Sequence, residues 1–91
     1  MDVKQAVKAA KDFVVELMSE EGIMNLGLEE VVHDDAEGVW GITVGFSRPW
    51  NRSALENALS IRTPSGRDYR VVKISEKDGK VLSFKQRDVQ E

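Results

Sequence analysis

The sequence holds a single histidine, and it stands among acids: His33-Asp34-Asp35, with Glu29, Glu30 and Glu37 close by along the chain. Imidazole and carboxylate are the residue types of metal ligands and of general bases near neutral pH. Their spacing argues against a shared site. Neighbouring residues on a strand point to opposite faces, so His33 and Asp34 cannot both address one ion unless a loop turns them. Neither a second histidine nor a calcium-loop spacing accompanies them. The group therefore reads as a solvated hairpin tip, with no metal assigned.

Hydroxyls are available at Ser47, Ser53, Ser60, Ser65 and Ser83, but no Gly-x-Ser-x-Gly elbow presents one as a nucleophile. There are no cysteines, which removes thiolate chemistry, disulfides and thiolate zinc sites together. Gly38, Gly41 and Gly45 do not precede a helix and so do not form a phosphate loop; their spacing suits a curved strand or one that other backbone approaches closely. Carboxylates are plentiful, yet nothing singles out a pair for acid–base work. No catalytic residue and no cofactor follow from these patterns.

Contact chemistry is better represented. Arg48, Trp50, Arg52, Arg62, Arg67, Tyr69 and Arg70 mix guanidinium with aromatic groups, the combination that grips an acidic peptide or a single-stranded nucleic acid. An isoelectric point near 5.2 and the lack of a nucleic-acid motif favour a protein contact over nucleic acid. Charge is also uneven. Residues 1–47 carry three basic and ten acidic side chains, whereas residues 48–73 carry six and two, so an acidic and a basic patch are expected.

These residues need elements to position them. Trp40, Ile42, Val44 and Phe46 recur every second residue, with Val39, Gly41, Thr43 and Gly45 between, which is the period of a strand with one bulky and one bare face. The long amphipathic element able to cover that bulky face is a helix over residues 2–21, where Val3, Ala6, Val7, Ala10, Phe13, Val14, Leu17 and Met18 fall at steps of three and four. Asp2 and Gln5 form a capping box at its start, and Gly22 suits its end.

Leu26 to His33 alternate as a first strand whose buried face is ambiguous, and residues 34–38 make a hairpin into the second. Residues 48–67 are irregular: Pro49 stops the strand, Ser53 to Glu56 have capping-box spacing for a short helix over 54–60, and Thr63 to Gly66 form a turn. Residues 68–75 and 80–87 form a closing hairpin. A left-handed Gly79 with Glu76 opposite Lys80 would set Ile74 against Leu82 and Val72 against Phe84, gathering bulky side chains on one face.

The expected architecture is a single α+β domain over residues 1–91, one N-terminal helix on a four-stranded antiparallel sheet in the order α-β-β-(short α)-β-β. The expected core is Phe13, Leu17, Trp40, Ile42, Val44, Phe46, Val72, Ile74, Leu82 and Phe84. Val39, Thr43, Tyr69, Val71 and Val81 fall on the opposite face, which is apolar enough to want a cover, either from the irregular segment or from another chain. At this length folding hides only about 60–70% of the chain's surface, so there is one modest core and little room for a deep pocket. With no leader pattern and no long apolar run, a cytoplasmic protein off the membrane is expected.

The element order resembles the cystatin-like and nuclear-transport-factor-like folds. The stretches Gly38-Val39-Trp40, Arg48-Pro49, Asp68-Tyr69-Arg70-Val71-Val72, Asp78-Gly79 and Lys85-Gln86-Arg87 resemble the gas vesicle protein O family, and the Asp-Gly hairpin also resembles the end of PepSY domains. The chain departs from the gas vesicle pattern at Thr43-Val44-Gly45-Phe46, where that family has acidic residues, and it lacks the family's aromatic and Arg-rich ending. The resemblance implies the fold and not the biology. The functional expectation is a non-catalytic interaction or accessory module, binding a protein partner or itself, with Arg48, Trp50, Arg52, Arg62, Tyr69, Val71 and Val81 as contact residues. The alternative is a small-ligand or catalytic domain of nuclear-transport-factor-like type with a shallow cavity between helix and sheet.

Overall fold

The structure is a computed structural model that describes residues 1–48 and 67–87. Helix α1 spans Val3–Leu17. Its start is the expected box: the Asp2 carboxylate accepts from the Gln5 amide at 2.9 Å, and the Gln5 side-chain oxygen accepts from the Asp2 amide at 2.8 Å. Amides that a helix leaves without partners at its first turn are satisfied in this way. The α-helix is shorter than its periodicity suggests. After Met18 the chain tightens into a 3-10 turn over Ser19–Glu21, and Gly22 ends it at φ 65 in the left-handed region. The tightening falls where Glu20 and Glu21 would otherwise face the negative end of an α-helix dipole.

Ala6, Ala10, Val14 and Met18 form the buried stripe of α1. Two of these are alanines, which lets the helix backbone approach the sheet closely. Phe13 flanks the stripe and meets Phe84 edge-on, with ring centroids 5.6 Å apart. Leu17 does not belong to the core as expected: turned by about 100° from Met18, it stays 55% exposed.

Four strands make one antiparallel sheet in sequence order: β1 (Met24–Asp34), β2 (Val39–Ser47), β3 (Arg67–Ser75) and β4 (Val81–Gln86). The central strands β2 and β3 pair without interruption from Val39–Ser75 to Ser47–Arg67. Ile42, Val44 and Phe46 on β2 and Val72 and Ile74 on β3 are fully buried beneath α1.

Strand β1 explains why its buried face was ambiguous. Its register against β2 slips between Met24 and Gly27 and again between Leu28 and Glu30, each slip inserting one residue. Asn25, inside the first slip, has φ 58. Because Glu29 is the second insertion, Leu28 opposes Val44 and Val31 opposes Ile42. Leu28, Val31 and His33 therefore share the helix side, while Gly27, Glu30, Val32 and Asp34 share the other. A strict alternation would have divided them.

Both hairpins use a loop that ends on a left-handed glycine, Gly38 at φ 66 and Gly79 at φ 73. Each glycine amide bonds back to the carbonyl that opens its loop, Asp34 or Ser75, at 2.8 Å. The second loop closes one residue earlier than expected, because the Ser75 amide bonds the Lys80 carbonyl and the Glu76 amide turns away to the Gly38 carbonyl of the first loop. As a result the inserted residue of β4 is Leu82: Ile74 opposes Val81, Lys73 opposes Ser83, and Val72 opposes Phe84 as expected. Val81 packs against the core and Leu82 is 56% exposed, the reverse of the expected arrangement. No helix among the described residues is long and apolar enough to cross a membrane.

Candidate interaction face

At the hairpin end of the sheet the sole histidine is held from both sides. His33 Nδ1 lies 2.7 Å from Asp35 Oδ1, and its Nε2 lies 2.9 Å from Glu76 Oε1. Serving both carboxylates as a donor requires both ring nitrogens to be protonated. The hydrogen bond to Glu76 is the main influence raising its pKa above the ordinary 6.5, with partial desolvation opposing and Asp35 assisting. His33 thus ties the β1–β2 loop to the β3–β4 loop. Its ring also lies against Trp40, centroids 4.4 Å apart, and the Trp40 Nε1 is buried without a hydrogen-bond partner among the described residues.

At the other end three arginines are engaged. Arg48 Nε donates to Asp68 Oδ2 at 2.9 Å, and its Nη1 lies 3.6 Å from Glu21 Oε1, which closes the end of the core layer beside the 3-10 turn. Arg70, opposite Val44, places its guanidinium 5.6 Å from the Phe46 ring centroid and bonds the Tyr69 carbonyl. Arg67 crosses the opposite face to reach Glu29 Oε2 at 3.1 Å and the Asn25 carbonyl at 2.9 Å.

The candidate site lies on that opposite face, turned away from α1. A groove of about 500 Å³ runs over it, floored by Val39, Gly41, Thr43 and Val71. Its flanking apolar residues, Val32 on β1 and Leu82 on β4, are each more than half exposed. One wall is acidic, from Glu30, Asp34 and Glu37, and the other is basic, from Lys73 and Arg87. The walls are ordered by the strands: Glu30 opposes Thr43, Thr43 opposes Val71, and Val71 opposes Lys85, so one row runs straight across the sheet from an acid to a base. With strands about 4.8 Å apart, the ends of that row are roughly 14 Å apart, too far for one copy to pair them. None of Glu30, Lys73, Lys85 and Arg87 forms an ion pair among the described residues.

Of the expected contact residues, Tyr69 and Val71 lie on this open face, opposite Gly45 and Thr43. Arg48 and Val81 lie on the helix side, and Trp50, Arg52 and Arg62 fall outside the described residues. Sequence reasoning missed Val32, Leu82, Glu30 and Lys85, whose common face depends on the insertions in β1 and β4. Together these elements define an α+β module, one helix against one side of a four-stranded antiparallel sheet, with a groove along the other side among the described residues. No protein-family model, curated protein or solved structure matches the chain.

Proposed function

We propose that the chain is a non-catalytic contact module whose working surface is the open face of the sheet. The observation that carries this is the pairing of exposed Val32 and Leu82 with groove walls of opposite charge. Apolar surface left in water forgoes about 25 cal/mol per Å² that a partner would recover, and charged rims supply the specificity that apolar area lacks. The sole histidine, by contrast, has both ring nitrogens committed to structural carboxylates, which leaves it poorly placed to act as a base or a ligand.

A second reading, a small-molecule site, draws its support from the groove volume of about 500 Å³. Ile42, Val44, Phe46, Val72 and Ile74 occupy the middle of the layer between helix and sheet, and a shallow groove of about 480 Å³ lies at its edge between Val3, Val7 and Leu28.

Paramagnetic relaxation by a neutral soluble probe, read at the methyls of dilute protein, tests the proposal. Val32 and Leu82 should relax strongly and Ile42 and Val72 weakly. Protection of Val32 and Leu82 in a dilute monomer would mean the face is already covered, and the proposal would fall.

A further inference from the structure

We infer that the open face binds a second copy of this chain, stacked face to face about a two-fold axis that runs along the strands. This rests on the open-face reading and names its partner. The row Glu30–Thr43–Val71–Lys85 places an acid over β1 and a base over β4 at one height along the sheet. Rotation about an axis parallel to the strands sets β1 of one copy over β4 of the other. Glu30 then lies across from Lys85 of the second copy, and Lys85 from its Glu30, with Thr43, only 4% exposed, recessed in the groove floor between them. Rotation about the perpendicular in-plane axis would instead set acid over acid and base over base. Stacked sheets sit about 10 Å apart, a gap that an extended Glu and an extended Lys together span.

The same geometry brings Leu82 over the β1 side near Val32 of the other copy, so the most exposed apolar residues of the face cover each other. Four strands about 4.8 Å apart and about 20 Å long present roughly 400 Å² per copy. A total near 800 Å² lies below the usual range of stable interfaces, about 1,200–2,000 Å². The dimer is accordingly weak and concentration-dependent, and its charged rims make it sensitive to salt.

Sedimentation equilibrium of the full chain, from low micromolar to near-millimolar protein, provides the test. Wild type should dimerise at the upper end and dissociate as salt rises. The acid-wall variant Glu30→Lys with Glu37→Lys, and the base-wall variant Lys73→Glu with Lys85→Glu, should each raise the dissociation constant about tenfold or more. An equimolar mixture of the two should restore association, because each then opposes its complement.

The chain has no cysteine, so Glu30→Cys and Lys85→Cys can be joined by a short bismaleimide. Mixing the two variants should give a cross-linked pair that neither gives alone; cross-linking of each variant with itself would overturn the axis. Monomer throughout, in wild type and in the mixture, would overturn the second copy as partner. That result leaves the open-face reading standing if Val32 and Leu82 relax as exposed methyls, and removes both if they are protected.

Discussion

The Glu29 carboxylate meets the Arg67 guanidinium at 3.1 Å directly above the bare backbone of Gly45. A Cβ on Gly45 would stand 2.8 Å from Glu29 Oε2 and 3.1 Å from Arg67 Nε and Nη2. The ion pair therefore occupies the space that any larger residue on β2 would fill, and the missing side chain is a requirement of the pair.

Gly45→Ala should displace that pair without breaking the sheet, since the atoms in the way are the ends of long side chains. The pair is only partly buried, at 28% and 33% side-chain exposure, so the loss should be about 0.5–1 kcal/mol. Urea unfolding of Gly45→Ala, Glu29→Gln and the double variant checks this. Glu29→Gln should add little once Gly45→Ala is present.

Stability should fall as pH rises through the titration of His33. Its folded pKa is raised by Glu76, so the contribution is fully present below the ordinary value of 6.5 and is lost as pH climbs through the higher folded value. Melting temperature against pH should show this descent in wild type and lose it in His33→Gln. In Glu76→Gln an NMR titration should find the His33 midpoint moved down.

Trp40→Phe should change stability by no more than about 1 kcal/mol. The smaller ring loses contact area, but it also removes a buried donor that has no acceptor among the described residues, a penalty of about 1–3 kcal/mol. Denaturant unfolding checks this against Ile42→Ala, which leaves a cavity in the fully buried layer and should cost about 2–5 kcal/mol.

On α1, Ala10→Leu should destabilise by about 1–3 kcal/mol, because Ala10 is fully buried in the core cluster. Leu17→Ala should fall within about 0.5 kcal/mol of wild type, as its side chain is largely in water. Thermal melts of both separate the alanine stripe from its exposed flank.

What could be read in advance was what short-range chemistry decides. Asp2 and Gln5 cap a helix three residues apart, Gly22 and Gly79 take left-handed conformations that other residues resist, and Trp40 to Phe46 alternate on an uninterrupted strand. Strand β1 was legible as a strand but its facing was not, because the insertion at Glu29, whose carboxylate pairs with Arg67 38 positions away, changes the phase with nothing near it in the chain to announce it. Val81 and Leu82 exchanged sides for a similar reason: the loop closes at Ser75, and the Glu76 amide that might have continued the ladder bonds the other hairpin. The open face suffered most. Thr43 and Val71 could be placed on it from the alternation alone, whereas the acid-to-base row from Glu30 to Lys85 exists only when three strand registers are known together.

Every slip of the hydrogen-bond ladder falls on a junction with an outermost strand, twice along β1 and once along β4. A ladder broken in this way is a poor template for another molecule's backbone. Growth into fibrils, which needs long flat margins, is thereby discouraged at both flanks.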